Sequence, residues 1–149
     1  MPGSAIRILI ADDHEPLRRF VSSTLARLPR LQIVGEASNG LEALRKAQLL
    51  RADIILLDIG LPKLNGFEVA RQIRQRIPQL RILFFSTDCS SQIVEEALRL
   101  GAGGYVLKSD AGAELVSALE AVLQGETYLS SSLTNRVLRV PSVKAHERG

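Results

Sequence analysis

Ile54-Ile55-Leu56-Leu57-Asp58-Ile59-Gly60-Leu61-Pro62 is the stretch that decides how this chain folds. Four apolar residues run straight into an aspartate, and a glycine and a proline then end the run. An unbroken apolar run of this length reads as a strand buried on both faces, as in a parallel sheet. Asp58 then stands at the carboxyl end of a central strand. In open α/β sheets that edge is where ligands bind and chemistry occurs.

On either side of this strand the same alternation repeats. Ile6 to Ala11 is a short apolar strand that ends at Asp12-Asp13-His14-Glu15-Pro16. Asp13 is the expected N-cap of the first helix, with Pro16 in its first turn. Leu17, Phe20, Val21, Thr24, Leu25 and Leu28 share one face of that helix, and Pro29 closes it. Leu31 to Ser38 is a second strand with a less clean alternation, and Asn39-Gly40 opens a second helix. After Asp58, a third helix starts near Asn65-Gly66 and stops at Pro78. Arg81 to Ser86 and Tyr105 to Lys108 are the fourth and fifth strands, each ending in a polar residue. The fifth helix has Gly125 at its C′ position. Five βα units predict a doubly wound five-stranded parallel sheet with helices on both faces.

The chain has 149 residues, enough for one domain with a short appendage. Hydrophobic residues make up 46% of it, which excludes wholesale disorder. Tryptophan is absent and aromatics are few, so the expected core is Leu, Ile, Val and Ala. Residues 1–134 carry 15 basic and 15 acidic side chains, so the net charge of +3 belongs to the tail with Arg136, Arg139, Lys144 and Arg148. The body therefore lacks the basic balance that nucleic-acid binding needs, and the tail reads as a solvated linker. Cys89 is the single cysteine, which fits a reducing, cytoplasmic compartment. The first strand begins within a few residues of Met1, so no signal peptide is expected. No apolar run approaches the roughly 20 residues that span a bilayer, so no membrane partner is expected.

Polar residues at four strand ends converge on one edge of such a sheet. They are Asp12 and Asp13, Asp58, Ser86 and Lys108. Each has an ordinary reading alone: a helix cap, a turn residue, a terminal hydroxyl, a surface lysine. Together they are a site. Three carboxylates repel one another unless a cation compensates, and an all-oxygen donor set favours a hard ion such as partly hydrated Mg²⁺. A lysine and a hydroxyl opposite them suit a phosphoryl group. The chemistry expected of this set is carboxylate attack on phosphorus to give an acyl phosphate.

The Asp12-Asp13 pair, the run from Asp58 to Gly66 (DIGLPKLNG), Ser86 and Lys108 resemble the receiver domain of bacterial two-component response regulators. The resemblance covers roughly residues 5–125 and implies a flavodoxin-like sheet of order 2-1-3-4-5. It implies that Asp58 accepts a phosphoryl group from a sensor histidine kinase. Asp13, Asp58 and the Gly60 backbone carbonyl would hold Mg²⁺, with Asp12 acting mostly through water. Ser86 and Lys108 would contact the phosphoryl group, and Ser86 would move together with Tyr105. Homodimerisation or partner choice would then change on the face of helix four, strand five and helix five.

Asp12-Asp13-His14, the GAGGYVLKS run of residues 101–109 and the GETYLS run of residues 125–130 are similar to NarL/FixJ (LuxR-type) transcriptional regulators. The expected division is a receiver over 1–125 and a linker-like helix with a basic tail over 126–149. Thr127 to Val140 is the expected helix. No DNA-binding domain of such regulators is expected within residues 1–149, so DNA contact would need a domain outside this chain. Residue 60 is Gly, Thr87 follows Ser86, and Ser109 follows Lys108, where many receivers carry a longer residue, a smaller one and a proline. Two other classes compete. A flavodoxin-like cofactor carrier is disfavoured because Asp12-Asp13 stands where a flavin phosphate loop belongs. A receiver-like interaction scaffold that is not phosphorylated remains the alternative.

Overall fold

The computed structural model describes residues 5–133. β1 (Ile6–Ala11), β2 (Leu31–Ala37), β3 (Ile54–Leu57), β4 (Arg81–Ser86) and β5 (Gly104–Leu107) alternate with α1 (Glu15–Leu25), α2 (Gly40–Leu50), α3 (Gly66–Arg76), α4 (Ser91–Arg99) and α5 (Ala111–Leu123). A sixth short strand, β6 (Tyr128–Leu129), follows α5. The sheet order is β2-β1-β3-β4-β5-β6, and every pairing is parallel.

The central strand is buried on both faces, as its composition predicts. Ile54 and Leu56 pack with Ile8, Ile10, Leu83, Phe85 and Val106 toward α1 and α5. Ile55 and Leu57 pack with Leu9, Ile82 and Phe84 toward α2, α3 and α4. The period of two along each strand divides the aliphatic residues between the two layers. The core is mostly aliphatic, but its largest fully buried side chains are Tyr105, Phe84 and Phe85. Phe84 meets Phe67 edge-on, with ring centroids 5.5 Å apart.

Local signals set the helix starts. Asn39 accepts from the Glu42 amide at 2.8 Å, and Asn65 accepts from the Glu68 amide at 3.0 Å. Gly125 follows α5 with φ +88°, the left-handed conformation that favours glycine. The uneven alternation of the second strand has a cause: its register against β1 slips between Ile8 and Leu9, so Val34 is bulged out.

The structure shifts some expected bounds by one residue, ending β2 at Ala37 and β5 at Leu107 with Lys108 opening a turn, and differs more at four further places. The sheet has six strands rather than five, because the Tyr128–Leu129 backbone satisfies its hydrogen bonds on the open edge of β5. The expected Thr127–Val140 helix therefore begins with a strand, and a short helical turn opens only at Ser131. The remainder of that segment and the basic tail lie outside the described residues. The N-cap of α1 is His14 rather than Asp13, because Asp12 Oδ1 takes the His14 amide at 2.9 Å and sets the turn one residue later. α1 also ends at Leu25, ahead of Pro29. The face of α4, β5 and α5 thus carries β6 across its strand edge. Among the described residues, no helix is long and apolar enough to cross a membrane.

Candidate functional site

The site lies at the carboxyl ends of β1, β3, β4 and β5. Parallel pairing aligns Ala11 with Leu57, Leu57 with Phe84, and Ser86 with Leu107, so the residues that follow each strand emerge side by side. Asp12 and Asp58 are buried, at 1% and 8% exposure, while Asp13 is exposed. One carboxylate oxygen from each of these three residues lies within 4.8 Å of the other two.

Lys108 joins this acidic group from the end of β5. It opens a 3-10 turn, Lys108–Asp110, immediately after β5. Its Nζ stands 2.6 Å from Asp12 Oδ2 and 3.6 Å from Asp58 Oδ2. Asp12 Oδ2 is buried, and the Lys108 ammonium is its close ion-pair partner. Burial pushes the Asp58 carboxyl above the ordinary carboxylate range. Lys108 pulls it back, Asp12 and Asp13 push it up, and the Gly60 amide pulls it down. Three crowded carboxylates balanced by one lysine suit a hard divalent cation, and all three donors are of the oxygen type such an ion takes.

Ser86 and Tyr105 meet at the neighbouring loop. Ser86 Oγ accepts from the Asp88 amide at 3.0 Å, and the Tyr105 hydroxyl donates to the Asp88 carbonyl at 2.6 Å. Burial pushes the Tyr105 hydroxyl up to about 12, so it stays a neutral donor. Tyr105→Phe is expected to lower the stability to urea by about 1 kcal/mol, the net worth of such a bond. An unchanged urea midpoint would show that water replaces the hydroxyl.

The chain matches the response regulator receiver domain family over residues 8–120. It belongs to that family.

The receiver domain is 39% identical over 127 residues to the nitrate/nitrite response regulator NarL of Escherichia coli K12, covering 85% of this chain and 59% of that one. It is 34% identical over 134 residues to the transcriptional regulatory protein DegU of Brevibacillus brevis, covering 90% of this chain and 57% of the relative. The chain thus spans under two thirds of the length of these relatives, one named a transcriptional regulatory protein and the other a response regulator. A crystal structure of a LuxR-family response regulator from Aurantimonas superposes with a TM-score of 0.86 at 36% identity, over 91% of this chain and 97% of that one. The flavodoxin-like α/β fold expected from the sequence is therefore the fold of this receiver domain.

The structure brings Asp12, Asp13, Asp58 and Lys108 together, and sets Ser86 beside Leu107, the residue before Lys108. A Cβ at Gly60 would meet nothing within 4 Å, so that approach to Asp58 is open. Sequence reasoning missed Arg18, whose Nη1 donates to the Asp12 carbonyl at 2.7 Å while Nε pairs with Glu36 at 2.9 Å. It also missed Asp88, the shared partner of Ser86 and Tyr105. Arg18 carries no signal distinguishing it from Arg19, which pairs with Glu15 on the exposed side of the same helix. Only the pitch of α1 aims Arg18 at the loop.

Proposed function

We propose that this receiver domain is a phosphorylation switch whose acceptor is Asp58. The observation that carries the reading is the buried Asp58 carboxylate, set within 4.8 Å of two further carboxylates and 3.6 Å from Lys108 Nζ. An oxygen of Asp58 attacks the phosphorus of a phosphohistidine on a sensor kinase. The P–O bond forms, the P–N bond breaks, and the leaving ring nitrogen takes a proton from water. Asp12, Asp13 and Asp58, with the Gly60 carbonyl, would hold Mg²⁺, which when bound offsets negative charge on the phosphoryl oxygens. Lys108 supplies a fixed positive charge to the same oxygens and must loosen its pair with Asp12 to do so. The domain thereby assists its own phosphoryl transfer.

The product adds about −1.5 to −2 charge at one point. Ser86 and Tyr105 respond as a pair, because both are tied to Asp88. A nearly complete shift between two states needs about 5.5 kcal/mol of preference. The output is altered self-association or partner choice on the face of α4, β5 and α5, now including β6. Residues 1–125 are the switch and 126–149 a linker toward a transcriptional output domain, as the name of the relative DegU, a transcriptional regulatory protein, supports.

The test is intact mass after incubation with Mg²⁺ and acetyl phosphate. One phosphoryl adduct is expected on the wild type, with none in EDTA and none on Asp58→Ala. An adduct that persists on Asp58→Ala would overturn the assignment of the acceptor. No adduct, together with unchanged thermal stability in beryllofluoride and Mg²⁺, would leave a scaffold that is not phosphorylated.

A further inference from the structure

We propose that Ser130 and Asp110 form a clamp that positions Lys108 for the phosphoryl group. The inference rests on the role given to Lys108 above.

β5 ends at Leu107, and Lys108 begins the 3-10 turn that carries the chain into α5. The Leu107 amide donates to Ser130 Oγ at 3.1 Å. The same hydroxyl donates to Asp110 Oδ2 at 2.6 Å. One buried hydroxyl therefore joins the residue before Lys108 to the residue two places after it. Ser130 is 0% exposed, and its own amide donates to the Tyr105 carbonyl at 2.9 Å. A parallel ladder spaces its bonds evenly, and the Ser130 side chain continues that spacing where the β6 backbone stops. Asp110 takes a second serine as well: Ser132 Oγ donates to its Oδ1 at 3.0 Å. These hydroxyls hold the Asp110 carboxyl below its ordinary range.

The segment that brings Ser130 there is anchored independently. The Tyr128 hydroxyl donates to Glu114 Oε1 at 2.8 Å, the Ser131 amide donates to the same oxygen at 3.0 Å, and Leu133 is fully buried in the core. Loss of the Ser130 hydroxyl therefore leaves the strap in place and frees only the turn.

A simple staple and a positioning clamp predict different things. A staple affects stability alone. The clamp fixes the Lys108 backbone while its Nζ reaches Asp12 and Asp58 from the other side. A misplacement of about 1 Å in a reacting group can cost 10²-fold in rate. Ligands for Mg²⁺ come from the ends of β1 and β3, whose backbone the clamp does not touch; Lys108 meets Asp12 and Asp58 only through its Nζ, so metal affinity should move far less than transfer rate.

The experiment compares wild type, Ser130→Ala, Asp110→Ala and Glu114→Ala for Asp58 phosphorylation by acetyl phosphate at saturating Mg²⁺. Mg²⁺ affinity and thermal stability are measured on the same samples. Ser130→Ala and Asp110→Ala are expected to slow phosphorylation about tenfold per folded molecule, with Mg²⁺ affinity within about twofold of wild type. Glu114→Ala loosens the strap on both sides of Ser130, at Tyr128 and Ser131, and is expected to lower stability and to slow transfer in the same direction. Folded Ser130→Ala and Asp110→Ala with the wild-type rate would overturn the clamp. A wild type that takes no phosphoryl group and gains no stability in beryllofluoride and Mg²⁺ removes the reading of Asp58 and the clamp with it, whereas a phosphorylated wild type with unaffected variants removes the clamp alone.

Discussion

Alanine at Gly66 is expected to cost about 3 kcal/mol of stability or more, toward the upper end for overpacked sites. A Cβ there would stand 2.2 Å from the Asp58 carbonyl oxygen and 2.8 Å from Ile59 Cα. Both obstacles are backbone, so no side-chain rotation relieves them. The Gly66 amide also donates to the Ile59 carbonyl at 2.7 Å, which draws the start of α3 onto the loop after Asp58. To admit a methyl group, α3 must slide or the loop must open. Either movement displaces Asp58, so phosphorylation should fall together with the urea midpoint. Gly112→Ala is the control: a Cβ at that position in α5 meets nothing within 4 Å, and alanine there should stabilise by up to about 1 kcal/mol. A wild-type urea midpoint for Gly66→Ala would refute the steric account of this loop.

Asp58→Asn is expected to raise the melting temperature in EDTA at neutral pH. Burial, with Asp12 and Asp13 nearby, holds the folded Asp58 pKa above its ordinary value despite Lys108. The folded state then binds more protons than the unfolded state between the two pKa values. Stability falls as pH rises through that window and stays lower above it. Asparagine removes the ionisation, so its advantage is full at neutral pH. That advantage shrinks as pH falls toward the ordinary aspartate value, where wild-type Asp58 is itself protonated. For a chain of this size each kcal/mol moves the melting temperature by about 2–4 °C, which a thermal scan resolves. Mg²⁺ should reverse the order by stabilising the wild type more than the variant. If wild type melts above Asp58→Asn in EDTA at pH 7, then Lys108 outweighs burial and the sign is wrong.

Both results test a site that was partly readable in the chain. The Ile54–Leu57 run is legible as a strand buried on two faces because a period of two cannot leave four consecutive apolar residues on one side. Asn39, Asn65 and Gly125 are legible because a cap needs only local geometry. Asp12, Asp13, Asp58 and Lys108 are legible because each follows a strand, and parallel strands bring their ends to one edge. The cap at His14 was not legible: Asp12 and Asp13 are chemically equal there, and only the fold buries Asp12 so that its Oδ1 meets the His14 amide. β6 was not legible either, since Tyr128-Leu129 is too short to carry a strand signal and pairs only because β5 offers an open edge.

By itself, then, the sequence determined the alternation of strands and helices, the two-layered burial of the sheet and the edge where the acidic residues gather. These follow from periodicity and from residues acting on near neighbours. The tertiary structure alone decided what holds the site in shape. Arg18 reaches the Asp12 carbonyl because α1 crosses beside β2, and Ser130 reaches the Lys108 turn because β6 lies along β5. A serine 22 positions beyond Lys108 carries no mark of its partner in the chain. Its hydrogen bonds exist only where the backbone has already been brought within 3 Å or so, and that distance belongs to the folded molecule.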